Sequence, residues 1–425
     1  MTQKADREQV RQQNRGVILQ TLRRAGTMAR IELGQATGLS PSTVTAITAD
    51  LLSEGLIEEW SDTPADLPAP AHRGRPRTLL SLAPQAASVL AVKLSLGKAD
   101  LILADYSGRH LAQAKISIDT LGTPAAEFGA LLAEKIRNFL DRNEPGYPRL
   151  AEIVVAAQGF IDTRVGTVVW SPAFKEPGVE IVAPLKRAFR VPCRISNDVN
   201  MIAEALHGSN PLRYGGSFAV VFMDFGVGMA LYTDGQLFTG ETGSAAEFGH
   251  ANHIPGGRLC QCGKRGCMEA YLGIYSILRA ANGLPDDFDP WKLEVGPDTL
   301  PELVARAQAG DRKALDAFAE AGRALGYGLA RVIALFDPRL VAITGTGMLA
   351  FGLLETAMYQ ALKEALVEDL RKTIPIEPHS STEDLIGMGT ISGALRRLDL
   401  ASFATSRGPA RRALGTDNRK SPVQV

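Results

Sequence analysis

Residues 247–269 read Glu-Phe-Gly-His-Ala-Asn-His-Ile-Pro-Gly-Gly-Arg-Leu-Cys-Gln-Cys-Gly-Lys-Arg-Gly-Cys-Met-Glu, and the fold is decided by how this stretch is read. His250, Cys260, Cys262 and Cys267 follow the spacing H-x9-C-x-C-x4-C. Three thiolates and one imidazole complete a tetrahedral zinc shell with no position left open, so the metal is structural rather than catalytic. Gly263 and Gly266 let the backbone wrap closely around an ion. The chain has four cysteines, and a disulfide framework would scatter them rather than crowd three into one short segment. His253 is a second candidate for the fourth ligand. Cys193, remote in sequence, is expected in the core.

Working outward, 425 residues are too many for one hydrophobic core, and two or three domains are expected. Lys plus Arg and Asp plus Glu number 46 each, so no global field draws the chain to nucleic acid. Any DNA-binding surface must be local. Residues 1–30 supply such a bias, with seven basic side chains against Asp6 and Glu8. No apolar run approaches the roughly 20 residues that cross a bilayer, and none resembles a signal peptide. A cytoplasmic protein with no membrane partner is expected.

At the N-terminus Val17, Ile18 and Leu22 recur at helical spacing until Gly26. A second helix fits Arg30–Thr37 and stops at Gly38. Ser40-Pro41-Ser42 then offers an N-cap followed by proline in the first turn of a third helix, with Val44, Ile47 and Leu51 facing inward. Three short helices with a tight turn before the third make a helix-turn-helix. Leu56–Trp60 reads as the first strand of a wing. Ser40, Ser42, Thr43, Thr45 and Thr48 are expected on the outer face of the third helix, where short hydroxyl side chains reach phosphates and base edges in a major groove. Residues 61–77 are rich in Pro, Ala and Asp and end in His72-Arg73-Gly74-Arg75-Pro76-Arg77. Arg73 and Arg75, on an extended segment, suit a minor groove. Half-site geometry implies a dimer.

From Leu79 short apolar runs alternate with amphipathic helices and glycine-containing turns, the texture of an α/β domain. The expected division is a winged helix-turn-helix over 10–62 and a linker over 63–84. A first α/β lobe follows over 85–200, joined by a helix near 389–402. A second lobe with the zinc site spans 201–388, and a polar, disordered tail occupies 403–425.

The segment Glu247–Glu269 resembles the signature of the ROK family (repressors, open reading frames, kinases). The resemblance extends to Ser196-Asn197-Asp198-Val199-Asn200, Gly226-Val227-Gly228, Asp234-Gly235 and the strand ending Thr344-Gly345-Thr346-Gly347. Residues 14–77 look like the winged helix of its repressor branch. This implies an actin-like ATPase fold, similar to a sugar kinase, with two α/β lobes around a sugar cleft. By the same resemblance Asn197, Asp198, Glu247, His250 and Glu269 hold sugar hydroxyls, and Asp198 is the vestige of a catalytic base. Such a regulator would bind operator DNA and a sugar effector as a homodimer or homotetramer.

The departures from kinases point away from catalysis. Kinases of the family open with Asp-x-Gly-Gly-Thr, whereas here Val92-Lys93-Leu94-Ser95-Leu96-Gly97 has neither the carboxylate nor the double glycine. Lys93 or Leu94 takes the carboxylate's place. A Cβ there blocks close approach of phosphate, and no acid remains for magnesium. Phe225, in Asp224-Phe225-Gly226, adds bulk where a hydroxyl would contact phosphate. Gln158 and Ala173 also depart from the usual sugar-cleft residues. A sugar-responsive repressor without kinase activity is therefore expected. The rivals are a sugar kinase with a DNA-binding arm and a repressor switched by a protein partner.

Overall fold

A computed structural model describes residues 2–60, 78–367, 374–379 and 383–400. The N-terminal domain contains helices α1 (Thr2–Ala25), α2 (Arg30–Thr37) and α3 (Pro41–Ser53), with strands β1 (Thr27–Ala29), β2 (Ile57–Trp60) and β3 (Leu79–Leu82). The Ser40 side chain caps α3 by accepting from the Thr43 amide at 3.2 Å, with Pro41 in the first turn. Val44, Ile47 and Leu51 are buried as expected. In α1 the buried apolar side chains are Ile18, Leu19 and Leu22, while Val17 is exposed.

Two expectations are corrected here. The span 63–84, read as linker, contains β3, which lies in the middle of the wing sheet in the order β1-β3-β2. Leu79 pairs with Trp60 and Leu82 with Ile57. A four-residue apolar run on the far side of a long polar segment looks in sequence like the opening of the next domain, and only its partners reveal where it belongs. Thr48 is the second correction, since it is buried rather than on the outer face of α3. Its hydroxyl accepts from Arg30 Nε at 3.0 Å and donates to the Thr45 carbonyl at 3.2 Å. Position 48 follows 44 by one helical turn and so shares its inward stripe. Arg73 and Arg75 lie outside the described residues, in the segment joining β2 to β3, and so does the 403–425 tail.

The rest of the chain forms two lobes. Strands β4 (Ser88–Ser95), β5 (Lys98–Asp105), β6 (His110–Ser117), β7 (Leu150–Ala157), β8 (Phe160–Asp162), β9 (Thr167–Trp170), β10 (Val179–Glu180) and β11 (Cys193–Asn197) belong to the first. Helices α4 (Ala125–Asn143) and α5 (Val182–Phe189) cover its sheet. Strands β12 (Phe218–Met223), β13 (Val227–Thr233), β14 (Gln236–Phe238), β15 (Val341–Thr344) and β16 (Ile376–Pro378) form the second. The main sheets are ordered β11-β7-β4-β5-β6 and β14-β13-β12-β15-β16. In each, three strands run as an antiparallel meander, and two more are added parallel beyond the first. One topology is thus used twice, although the sequence shows no strong repeat.

Between the lobes lie α6 (Asp198–Ser209) and the C-terminal helix Leu385–Leu400, packed on one another. The C-terminal helix rests on β4 and β7, as expected for a helix returning to the first lobe, and α6 rests on β12 and β13. Ile18, Leu22 and Leu51 of the N-terminal domain share one apolar cluster with Val89, Tyr106 and Leu395. The N-terminal domain is therefore anchored on a common core, which favours coordinated movement over free swinging. Among the described residues, no helix is long and apolar enough to cross a membrane.

Candidate functional site

The strand ends at the top of both sheets place the predicted residues around one cavity. β11 ends at Asn197, and α6 begins at Asp198. Asn197 is the helix cap: its Oδ1 accepts from the Val199 amide at 2.8 Å, and its Nδ2 donates to the Gly159 carbonyl at 3.1 Å. Asn197 thus supplies the cap of α6. Asp198 Oδ1 also accepts from the Val199 amide, at 2.9 Å. Desolvation in the cleft pushes the Asp198 carboxyl up to about 6, against the pull of Lys93. Burial likewise pushes Glu247 up to about 7.

Asn197, Asp198, Glu247, His250 and Glu269 all line this cavity of about 300 Å3. Glu269 is the most enclosed of these five. One oxygen accepts from the Val227 amide at 3.1 Å, and the other lies 3.4 Å from both Tyr275 Oη and Cys260 Sγ. Glu269 therefore ties the glycine loop to the cysteine knuckle and offers little free valence to a ligand. Three further lining residues were not read from sequence. Trp170 meets His250 edge-on, ring centroids 5.8 Å apart, and adds an aromatic wall to the cavity. Its signal, an aromatic residue ahead of Ser171-Pro172, was available. Lys98 lies across β4–β5 from Ser95. Gln261, between two of the cysteines, is buried with Nε2 unpartnered.

Ligand atoms of His250, Cys260, Cys262 and Cys267 lie within 4.8 Å of one another, and this cluster could hold a metal ion. Cys262 Sγ and Cys267 Sγ are 3.7 Å apart, as are Cys260 Sγ and His250 Nδ1. A tetrahedral shell with metal–sulfur bonds near 2.3 Å requires sulfur–sulfur edges of about 3.7–3.8 Å, so the donor set fits. Gly263 and Gly266 adopt φ of +79° and +83°, and a Cβ on Gly266 would stand 1.9 Å from the Ile254 carbonyl oxygen. His253 is not part of the cluster; its ring packs on Tyr271. With Nδ1 turned to the cysteines, His250 keeps Nε2 for the cavity, so one residue joins metal hub and ligand site. Cys193 is buried in the first lobe, and its thiol is pushed up to about 11 by burial, the behaviour of a core residue.

Three of the four amides in the loop Asp224–Val227 are engaged within the protein. Phe225 N–H donates to Asp224 Oδ1 at 2.7 Å, Asp224 N–H to the Gly226 carbonyl at 2.9 Å, and Val227 N–H to Glu269. A phosphate cradle needs such amides free. Lys93 stands on β4 at the junction of this cavity with a larger one.

On the recognition face, Ser40, Ser42 and Thr45 are exposed and Thr43 is half-buried. The Ser40 hydroxyl is within 3.0 Å of Ser42 Oγ and 2.8 Å of Thr43 Oγ1.

Comparison with known proteins agrees with this architecture. Residues 11–58 match the model of a winged helix-turn-helix DNA-binding family, and residues 89–393 match the ROK family. The chain is 27% identical over 394 residues to the DNA-binding transcriptional repressor Mlc of Escherichia coli K12, covering 91% of this chain and 93% of that protein. It is 26% identical over 370 residues to the transcriptional dual regulator NagC of the same organism, covering 86% and 88%. A crystal structure of a ROK family transcriptional regulator, a homologue of the E. coli Mlc protein, superposes with a TM-score of 0.73 at 24% identity, covering 92% of this chain and 98% of that one. The ROK match spans most of the chain, both lobes and the cysteine knuckle included, and the protein belongs to the ROK family.

Proposed function

We propose that this protein is a sugar-responsive transcription repressor, with Ser40, Ser42, Thr43 and Thr45 facing operator DNA and Asn197, Asp198, Glu247 and His250 receiving a sugar. The observation that carries the reading is a carboxylate- and imidazole-lined cavity in the same chain as a winged helix that shares an apolar core with the first lobe. Acceptors such as Asp198 and Glu247 suit vicinal hydroxyls, and the relatives that cover nearly the whole chain are DNA-binding regulators. Zinc is the metal that best suits three thiolates and an imidazole. Two operator half-sites imply an even number of copies, and such a repressor works in the cytoplasm.

Kinase activity is not part of the proposal. Lys93 puts an ammonium where magnesium would need a carboxylate, and the amides of Asp224, Phe225 and Val227 are already engaged. The test uses fluorescence anisotropy on DNA recovered by in vitro selection with the full-length protein, titrated with and without a panel of sugars. Nanomolar DNA binding that at least one sugar shifts severalfold is expected. DNA binding that no sugar alters overturns the sugar half of the proposal, and turnover of ATP with any sugar overturns the exclusion of catalysis.

A further inference from the structure

The cleft has a second compartment. Beyond the cavity that holds Asp198 and Glu247 lies another of about 580 Å3, and Lys93, Phe222, Asp224 and Ile386 line both. Its charged floor follows from sheet register: Lys93 on β4 pairs with Asp100 on β5, and Asp100 with Lys115 on β6. Basic, acidic and basic side chains thus form a row across three strands. Thr344 and Thr346 approach from the second lobe, Glu383 and Asp384 from the start of the C-terminal helix. Lys93 Nζ is 3.8 Å from Asp384 Oδ1, an ion pair beside the junction.

The two volumes differ in what they admit. Small-molecule pockets run from roughly 300 to 1,000 Å3, so the smaller compartment suits one sugar ring and the larger has room for a second polar unit. Its lining carries Asp100, Asp224, Glu383 and Asp384 against only Lys93 and Lys115. An excess of carboxylates repels a polyanion such as a nucleotide or a sugar phosphate. Asp100 Oδ1 and Thr346 Oγ1 in the larger compartment, like Gln261 Nε2 in the smaller, are buried without hydrogen-bond partners. Such unmet groups favour a ligand with hydroxyls to meet them.

We propose that the effector is a neutral glycoside of at least two rings, one held at Asp198, Glu247 and His250 and the next lying over the Lys93–Asp100–Lys115 row. This rests on the sugar-binding reading above and adds the ligand's size and charge. Lys115 and Gln113, exposed on β6, are the specificity-determining residues for the second ring.

Calorimetry on the full-length, metal-loaded protein tests it with glucose, xylose and N-acetylglucosamine, their α- and β-1,4-linked dimers, and glucose 6-phosphate. At least one dimer is expected to bind tenfold or more tightly than its monomer. Lys115→Ala and Gln113→Ala, both at exposed positions, should remove most of that advantage and leave the monomer within twofold. Heat from monomers alone, a sugar phosphate tighter than every dimer, or equal losses for both ligand sizes in the variants overturns the second subsite while leaving sugar recognition intact. Heat from none of the sugars overturns both readings.

Discussion

At the scale of single residues, Asp198 is the most informative group in the cleft. Its carboxyl is raised to about 6 because the cleft withholds water from the charged form. A sugar hydroxyl donating to it favours the carboxylate, so the bound pKa falls below the free one. The part of the affinity that Asp198 carries must then rise as pH climbs through about 6, about tenfold weaker at pH 5 than at its plateau, while Glu247, raised to about 7 in the same cavity, extends the rise to about 8. Without ligand the sign is opposite for stability: the raised folded pKa favours the native state at low pH, and that advantage is lost as pH rises from about 4 to about 6. Calorimetric titrations from pH 5 to 8 check the first statement. Asp198→Asn should weaken binding at pH 7.5 by at least tenfold and flatten the profile between pH 5 and 6, where Asp198 titrates; an unchanged slope there assigns the dependence elsewhere. Asp198 was legible in sequence because it sits in a recognisable motif. Its pKa was not, since the enclosing residues, Lys93 and Asp224 among them, come from other strands. Thr48 shows the reverse failure: a polar side chain on a helical stripe reads as exposed until Arg30 is seen to supply its partner.

At the scale of elements, the knuckle from Glu247 to Glu269 does three jobs through contiguous residues. It presents Glu247 and His250 to the cavity, closes a cysteine cluster, and holds the Val227 amide through Glu269. Contiguity is why its chemistry is legible in the order of its residues alone. The cleft's second compartment could not be read, because Lys93, Asp100 and Lys115 meet only through the register of three strands. The strand β3 was lost for a related reason, its partners lying on the far side of a long polar segment. Loss of metal from the knuckle should be felt in two places. Purified protein is expected to hold one zinc per chain by elemental analysis. Cys262→Ser, or removal of metal by a strong chelator, should lower the thermal midpoint by about 5–10 °C, since a structural metal contributes several kcal/mol and each is worth about 2–4 °C in a domain this large. Sugar affinity should fall in parallel, because His250 loses the bond that fixes its ring. A metal-free protein with full sugar affinity would contradict that link.

At the scale of the whole molecule, one line of contacts joins the sugar site to the DNA-binding domain. Asp198 opens α6, and α6 lies so close to the C-terminal helix that a Cβ on Gly389 would stand 1.7 Å from the Met201 carbonyl oxygen. Glu204 on α6 accepts from Arg396 Nη2 at 2.5 and 2.7 Å. One turn further along the same helix, Asp399 is fully buried between Tyr106 Oη, at 2.8 Å, and the guanidinium of Arg23 from α1. If the proposed ligand draws α6 inward, these contacts would carry the shift to the C-terminal helix and, through Asp399, to the first helix of the winged domain. Packed helices with buried ion pairs transmit such shifts because their contacts offer a few discrete arrangements rather than a continuum. The coupling is measurable as the ratio of DNA affinities with and without sugar, and it must be reciprocal. Asp399→Asn keeps the shape but leaves Arg23 facing a neutral amide. The ratio should fall towards one in that variant, with sugar affinity to the DNA-free protein within about threefold of the parent. Glu204→Gln should do the same from one turn earlier, where Arg396 ties the C-terminal helix to α6. If both variants keep the full ratio, the signal bypasses the C-terminal helix, and the shared apolar core of α1 and the first lobe becomes the route by which the lobes move the winged helices.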